Sequence, residues 1–125
     1  MACRISDLVI DCRDPEALAR FWCEVLDFTV LARGEEGVEI GPREGLGGPQ
    51  PVIVLIRGDE PRKGKLRLHI DVTATDRDQD AELERLLAAG ARPVDIGQSG
   101  QDPWHVLADP EGNEFCLLGG RIDPL

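Results

Sequence analysis

The chain has 125 residues, 42% of them apolar and 30% charged, a composition typical of one globular domain. Its 24 acidic and 14 basic residues give a net charge of −10 at pH 7, which disfavours nucleic acid and anionic membrane surfaces as partners. No apolar run approaches the ~20 residues that span a bilayer, and the N-terminus lacks the apolar core of a signal peptide, so we expect a cytoplasmic protein. Four cysteines form no Cys-x-x-Cys pair and are expected to be reduced thiols: Cys3, Cys12, Cys23 and Cys116.

The first half of the chain predicts one helix among four short strands. Asp14 is a good N-cap and Pro15 suits the first helical position. An apolar stripe then follows at helical spacing: Leu18, Phe21, Trp22, Val25 and Leu26. Apolar and β-branched content predicts strands over residues 5–12, 28–31, 38–40 and 52–57. The glycines and prolines of residues 41–51 predict a loop.

The same order of elements returns after a linker at residues 58–64. Alternation over residues 66–72 predicts a strand with Arg67, His69 and Asp71 on one face. A helix is predicted over about 76–89, ended by Gly90. Strands are then predicted over residues 92–96, 104–108 and 114–118, the last two joined by a tight turn at 109–113.

The order β-α-β-β-β therefore occurs twice, in modules of about 3–58 and 65–120 within a single domain of residues 1–125. A shift of 62 residues aligns four pairs: Asp14 with Asp76, Phe21 with Leu83, Asp7 with His69, and Val54 with Cys116. We predict an α+β fold in which the two modules form one cupped, mostly antiparallel eight-stranded sheet. A cleft between the modules is the expected small-molecule site.

Three segments resemble the vicinal oxygen chelate (VOC) superfamily, which includes glyoxalase I, extradiol dioxygenases and bleomycin-resistance proteins. They are Asp14-Pro15 with the following FWCEVLDF of residues 21–28, LHIDV of residues 68–72, and DPEGNEFCLL of residues 109–118. The most similar variety is the glyoxalase-like domain. The resemblance implies the two-module fold, a small-molecule ligand and a homodimer, to whose contact the loop at 41–51 is expected to contribute.

In this superfamily a metal ion, where present, is held by side chains from the first and last strands of each module. The resemblance carries these positions onto Asp7, Val54, His69 and Cys116, where the enzymes usually have His, Gln or Glu. Val54 cannot bind a metal, and every register along residues 52–57 is apolar except at Arg57. We therefore expect no cofactor, with a divalent metal held by Asp7, His69 and Cys116 as the alternative.

His69 is the first candidate for a catalytic group, as ligand or base, against the reading of a half-buried histidine bonded to a neighbouring strand. Asp7 is the second, either paired with the imidazole or solvated at a strand end. A thiol beside a histidine is one arrangement that produces a nucleophile, and this is one interpretation of Cys116. Nothing basic in its local sequence lowers its pKa, so a buried inert thiol is expected instead.

Three further side chains are expected at the ligand. Arg67 and Asp71 share the predicted face of His69. Trp104 follows a polar loop at residues 97–103 and is either a stacking wall for a flat ligand or a plug at the sheet end.

Two functions follow from these residues and the resemblance. One is a glyoxalase-like enzyme of lyase or isomerase type, in which His69, with Asp7, does acid–base work on a carbonyl or enediol-like substrate. The other is a non-catalytic binder that sequesters a toxic metabolite or antibiotic, as bleomycin-resistance relatives do. Val54 favours the second function, and the polar trio on the predicted strand favours the first.

Overall fold

The computed structural model describes residues 2–61, 63–95 and 100–125. The chain divides into two compact units, Met1–Glu60 and Pro61–Leu125. Within the described residues each unit contains one helix and one four-stranded sheet. Neither helix in this part of the chain has the length and apolar character needed to cross a membrane.

The first unit follows the predicted order of elements closely. Its elements are β1 (Asp7–Cys12), α1 (Pro15–Leu26), β2 (Thr29–Arg33), β3 (Gly37–Gly41) and β4 (Val52–Arg57). The strands lie in the order β1-β4-β3-β2, with β1 parallel to β4 and the other two pairs antiparallel. The predicted strand at 52–57 is confirmed at both ends.

Helix α1 begins where the sequence predicts and ends at Leu26, the last residue of the predicted apolar stripe. The Asp14 side chain accepts a hydrogen bond from the Ala17 main-chain N–H at 3.1 Å, which satisfies one of the free donors at the helix start. Leu18, Phe21 and Trp22 are buried, and α1 packs on β3 and β4. The helical stripe therefore supplies the core of this unit.

The second unit repeats this topology. Its elements are β5 (Ile70–Ala74), α2 (Gln79–Ala89), β6 (Arg92–Pro93), β7 (His105–Ala108) and β8 (Glu114–Arg121). The strands lie in the order β5-β8-β7-β6, again with one parallel and two antiparallel pairs. The α+β fold of two βαβββ modules is confirmed. The end of the predicted strand at 92–96 lies outside the described residues.

The repeat of 62 residues is reproduced where β1 pairs with β4 and β5 pairs with β8, and it is inexact in the helices. Val9 pairs with Val54 in the first unit, and Asp71 pairs with Cys116 in the second. The N-caps, however, are Asp14 and Asp78, so the prediction of a second helix from about residue 76 is corrected to Gln79. Two extra residues between β5 and α2 account for the difference.

Strand β5 is shorter at its start than predicted, because residues 66–69 form bends and irregular chain. Leu68, expected on the buried face, is 62% exposed. The ladder to β8 begins at Ile70 with Phe115, and β8 itself begins one residue earlier. In the described residues β5 pairs with β8 alone. Residues 66–68 lie beyond the first residues of β8 and so extend past that strand.

The turn at residues 109–113 joins β7 to β8 as predicted. The fully buried Asp109 directs Oδ1 to the main-chain N–H groups of Glu111 and Asn113, at 2.9 and 3.0 Å. Its Oδ2 accepts from the Asn113 side-chain amide at 2.9 Å. Gly112 has φ of 85°, which favours glycine. This turn fixes the register of β8, the strand that carries Cys116.

Candidate functional site

A cluster of three polar side chains lies on one face of the second unit's sheet. Asp71 on β5 stands directly opposite Cys116 on β8 in the parallel ladder. His69 lies in the irregular chain just before β5, and its Nε2 comes within 3.4 Å of the Asp71 carboxylate, so the two side chains share one face. The alternate residues Phe115 and Leu117 are fully buried, and α2 packs on β8 and β5. The cluster thus occupies the face opposite the helix-packed core.

The three side chains bring a nitrogen, an oxygen and a sulfur atom to one point. His69 Nε2 lies 3.2 Å from Cys116 Sγ and 3.4 Å from Asp71 Oδ1. All three ligand atoms lie within 4.8 Å of one another. The side chains of His69 and Asp71 are 34% and 50% exposed, whereas Cys116 is buried. A small molecule therefore has access to the imidazole and the carboxylate, with the thiol beneath them.

Both partners of His69 meet the same ring nitrogen. When Nε2 carries the proton it donates to Asp71 or Cys116, and when Nδ1 carries the proton Nε2 accepts from the thiol. A nucleophile–base–carboxylate triad needs the thiol and the carboxylate on different nitrogens of the ring. The geometry therefore excludes a relay of that type between these three side chains and leaves a convergent donor set.

The Cys116 thiol is held in its protonated form at neutral pH. Burial raises its pKa above the ordinary value, and the Asp71 carboxylate raises it further. The thiolate is the reactive form, so Cys116 is a poor nucleophile in this setting. This agrees with the sequence argument that nothing nearby lowers its pKa.

Trp104 stands one residue before β7, on a segment that is held in place. Gln79 Nε2 donates to the Pro103 carbonyl at 2.8 Å. A Cβ at Gly119 would lie 2.9 Å from that same carbonyl oxygen, so glycine permits the close approach. The indole remains 40% exposed. Trp104 is a bend residue before β7, and its place beside the cluster stays a prediction.

The other predicted site residues are placed as follows. Arg67 is exposed in the bends before β5. Asp7 is exposed at the first position of β1, where it pairs with Val52, and its contact with His69 stays a prediction. Val54 is half-buried in the centre of β4, opposite Val9. His105 pairs with Leu117 and so takes the face opposite Cys116.

Asp71 was predicted on the face of His69 but not as a metal ligand. Two features of the sequence pointed to Asp71. His69 and Asp71 are separated by the strand period of two, and the 62-residue repeat aligns their ladder with that of Val9 and Val54. Only the register of β5 against β8 shows that the carboxylate stands opposite Cys116.

Comparison with known proteins identifies the family. The model of the glyoxalase-like domain matches residues 7–118. The chain belongs to the glyoxalase-like domain family. No curated protein matches this glyoxalase-like chain in sequence.

Solved structures share its fold within the VOC superfamily. The fosfomycin resistance protein FosX from Mesorhizobium loti is similar with a TM-score of 0.70 at 19% identity, over 98% of this chain and 96% of that one. FosX from Listeria monocytogenes, as a mutant in complex with Mn(II) and 1S,2S-dihydroxypropylphosphonic acid, gives 0.68 at 15% identity, over 98% and 94%. TnmS3, an antibiotic binding protein from Streptomyces sp. CB03234, gives 0.61 at 20% identity, over 94% and 95%. At these identities the likeness concerns the fold.

Proposed function

We propose that this glyoxalase-like domain binds a small, oxygen-bearing organic molecule at the β5–β8 face and acts on it as an enzyme of lyase or isomerase type. The observation that carries the proposal is the convergence of His69, Asp71 and Cys116 on one point of an accessible sheet face. The imidazole and the carboxylate are accessible, and a few convergent polar groups of this kind are typical of small-molecule sites.

The similar structures support a ligand of this class. FosX from Listeria monocytogenes is complexed with a dihydroxylated phosphonic acid and Mn(II), and TnmS3 binds an antibiotic. One is a resistance protein and the other a binding protein, and both have small-molecule ligands. We extend the ligand class, and not either named ligand, to this chain.

Each residue at this face has a distinct proposed task. The His69 nitrogen, with Asp71 beside it, exchanges a proton with a carbonyl or hydroxyl group of the ligand. Trp104 supplies a flat apolar wall for stacking, and Arg67 attracts an anionic substituent. Cys116 lines the floor as a thiol. Asp7 is proposed as a second acid–base group, on the family pattern.

A non-catalytic binder is the second candidate, and two observations favour it. Val54 is apolar where the enzymes of the superfamily have a metal ligand. The raised pKa of Cys116 removes the thiol as a nucleophile. A binder of this type captures its ligand without changing it.

The test combines ligand binding with analysis of products. The wild-type protein is incubated with α-oxo-carbonyl compounds, a phosphonate epoxide such as fosfomycin, and flat aromatic antibiotics, and mass spectrometry follows each compound. His69→Ala is compared with His105→Ala, which changes the chain's other histidine on the opposite sheet face. Product that disappears only in His69→Ala supports the enzyme. Stoichiometric capture without product supports the binder, and turnover that survives His69→Ala removes the proposed acid–base group.

We further propose that the chain forms a homodimer and is located in the cytoplasm. The loop at residues 41–51 presents the exposed Leu46 to a partner copy. No disulfide joins any of the four cysteines, all of which lie in the described residues, as expected of a reducing compartment. Light scattering after gel filtration tests the dimer, and Leu46→Asp is expected to shift the mass towards the monomer. A wild-type mass of one chain would refute it.

A further inference from the structure

We infer that the cluster binds a borderline-soft divalent ion such as Zn²⁺ or Co²⁺ in preference to Mn²⁺ or Mg²⁺, with Asp71 rather than Asp7 as its carboxylate ligand. This rests on the proposed function, since it specifies the cofactor of the same site. It differs from the family's ligand positions in the carboxylate, which is Asp71 in place of Asp7.

The spacing of the three ligand atoms fits one ion. Tetrahedral Zn²⁺, with Zn–S of ~2.3 Å and Zn–N or Zn–O of ~2.1 Å, separates sulfur from nitrogen by about 3.6 Å and nitrogen from oxygen by about 3.4 Å. The structure has 3.2 Å between Cys116 Sγ and His69 Nε2, and 3.4 Å between His69 Nε2 and Asp71 Oδ1. These two separations meet the requirement with movements of a few tenths of an ångström, and all three ligand atoms lie within 4.8 Å of one another.

The chemistry of the donors selects the ion. A thiolate sulfur and an imidazole nitrogen suit Zn²⁺ and Co²⁺, whereas Mn²⁺ and Mg²⁺ favour carboxylates, carbonyls and water. Cys116 contributes the sulfur that makes the set soft, and Asp71 contributes a single carboxylate. FosX from Listeria monocytogenes contains Mn(II), so the same fold is expected here with a different preference for the ion.

The register of the sheet favours Asp71 as the third ligand. Asp71 is the ladder partner of Cys116, so the pairing of β5 with β8 sets the distance between carboxylate and sulfur. The three ligands belong to one compact unit, Pro61–Leu125. The inability of Val54 to bind a metal does not affect this site, because Val54 is not one of the three ligands. Three protein ligands leave a coordination position for water or a ligand oxygen, the pattern of catalytic rather than structural zinc sites.

The three ligands differ in exposure, and each would have a different part in holding the ion. His69 and Asp71 would hold the ion from the accessible side, and the buried Cys116 would hold it from the sheet. The ion would supply polarisation of a carbonyl or hydroxyl oxygen of the organic ligand. His69 would then act through the ion, and its direct proton exchange in the proposed function belongs to the metal-free site.

The experiment measures ion affinity directly on the full chain, stripped of metal. Competition with a chromophoric chelator gives the dissociation constants of Zn²⁺, Co²⁺ and Mn²⁺, and the near-ultraviolet absorption of bound Co²⁺ reports a thiolate ligand. We expect Mn²⁺ to bind more weakly than Zn²⁺ by at least about 100-fold. The Co²⁺–thiolate band is expected to disappear in Cys116→Ser.

Two matched variants separate the carboxylates. Asp71→Asn is expected to weaken Zn²⁺ binding by more than about tenfold, and Asp7→Asn by less than about twofold, with Asp71→Glu restoring part of the loss. Because the buried Cys116 variant has the greater risk of misfolding, the ratio of Zn²⁺ to Mn²⁺ affinity in the wild type stands as an independent readout. Circular dichroism checks the fold of each variant.

The outcomes distinguish this inference from the proposed function. Equal affinity for Mn²⁺ and Zn²⁺, a loss confined to Asp7→Asn, or no bound ion overturns the inference. In those cases the function stands if the stripped protein still binds or converts a small molecule. Selective Zn²⁺ binding through Asp71, without any small-molecule ligand, supports the inference and contradicts the function.

Discussion

The buried carboxylate of Asp109 is expected to support both the stability of the chain and the geometry of its site. Asp109→Ala removes the acceptor of three hydrogen bonds, two from main-chain N–H groups and one from the Asn113 amide. Each buried donor left without a partner costs ~1–3 kcal/mol, and water reaches part of this half-exposed turn, so we expect a total of about 3 kcal/mol. For 125 residues this corresponds to a fall in Tm of about 10 °C.

The assay is thermal unfolding followed by circular dichroism, with urea unfolding as a second measure of the free energy. Asp14→Ala is the matched control, because it makes the same chemical change at an exposed helix cap and is expected to cost ~1 kcal/mol. Asp109→Asn keeps one oxygen acceptor and is expected to fall between the two. An Asp109→Ala protein that melts at or above the Asp14→Ala protein would show that the turn does not depend on this carboxylate.

Two further predictions concern the same unit. Because burial and a neighbouring carboxylate raise the pKa of Cys116, iodoacetamide at pH 7 is expected to modify the exposed Cys3 well before it, and equal rates by mass spectrometry would contradict a protonated thiol. Gly119→Ala is expected to lower Tm by several degrees, since the new Cβ would meet the Pro103 carbonyl, whereas Gly58→Ala, with open space around it, is expected to leave Tm nearly unchanged. Similar melting of the two glycine variants would show that the chain near Pro103 yields freely.

The elements that the sequence predicted well are those defined by local chemistry. Asp14 and Pro15 determine the start of α1 without help from the rest of the fold. Residues 52–57 form a continuous apolar run, and β4 has those bounds. The repeat of 62 residues is reproduced in the ladders, where Val9 pairs with Val54 and Asp71 with Cys116.

The features that escaped prediction depend on contacts distant in sequence. Leu68 alternates as a strand residue should, yet it is exposed because β8 does not extend beside it. The second helix begins at Gln79, because Asp78 and not Asp76 caps it. The meeting of Asp71 and Cys116 at His69 requires a pairing between residues 45 positions apart, which periodicity along one segment cannot reveal.

The pairs β1–β4 and β5–β8 share one register, so the first unit offers an internal control for the chemistry of the second. Asp7, Val9 and Val54 occupy in the first unit the positions that His69, Asp71 and Cys116 occupy in the second. The triple substitution Asp7→His, Val9→Asp and Val54→Cys would therefore place the side chains of the second unit's cluster at the matching positions of the first unit.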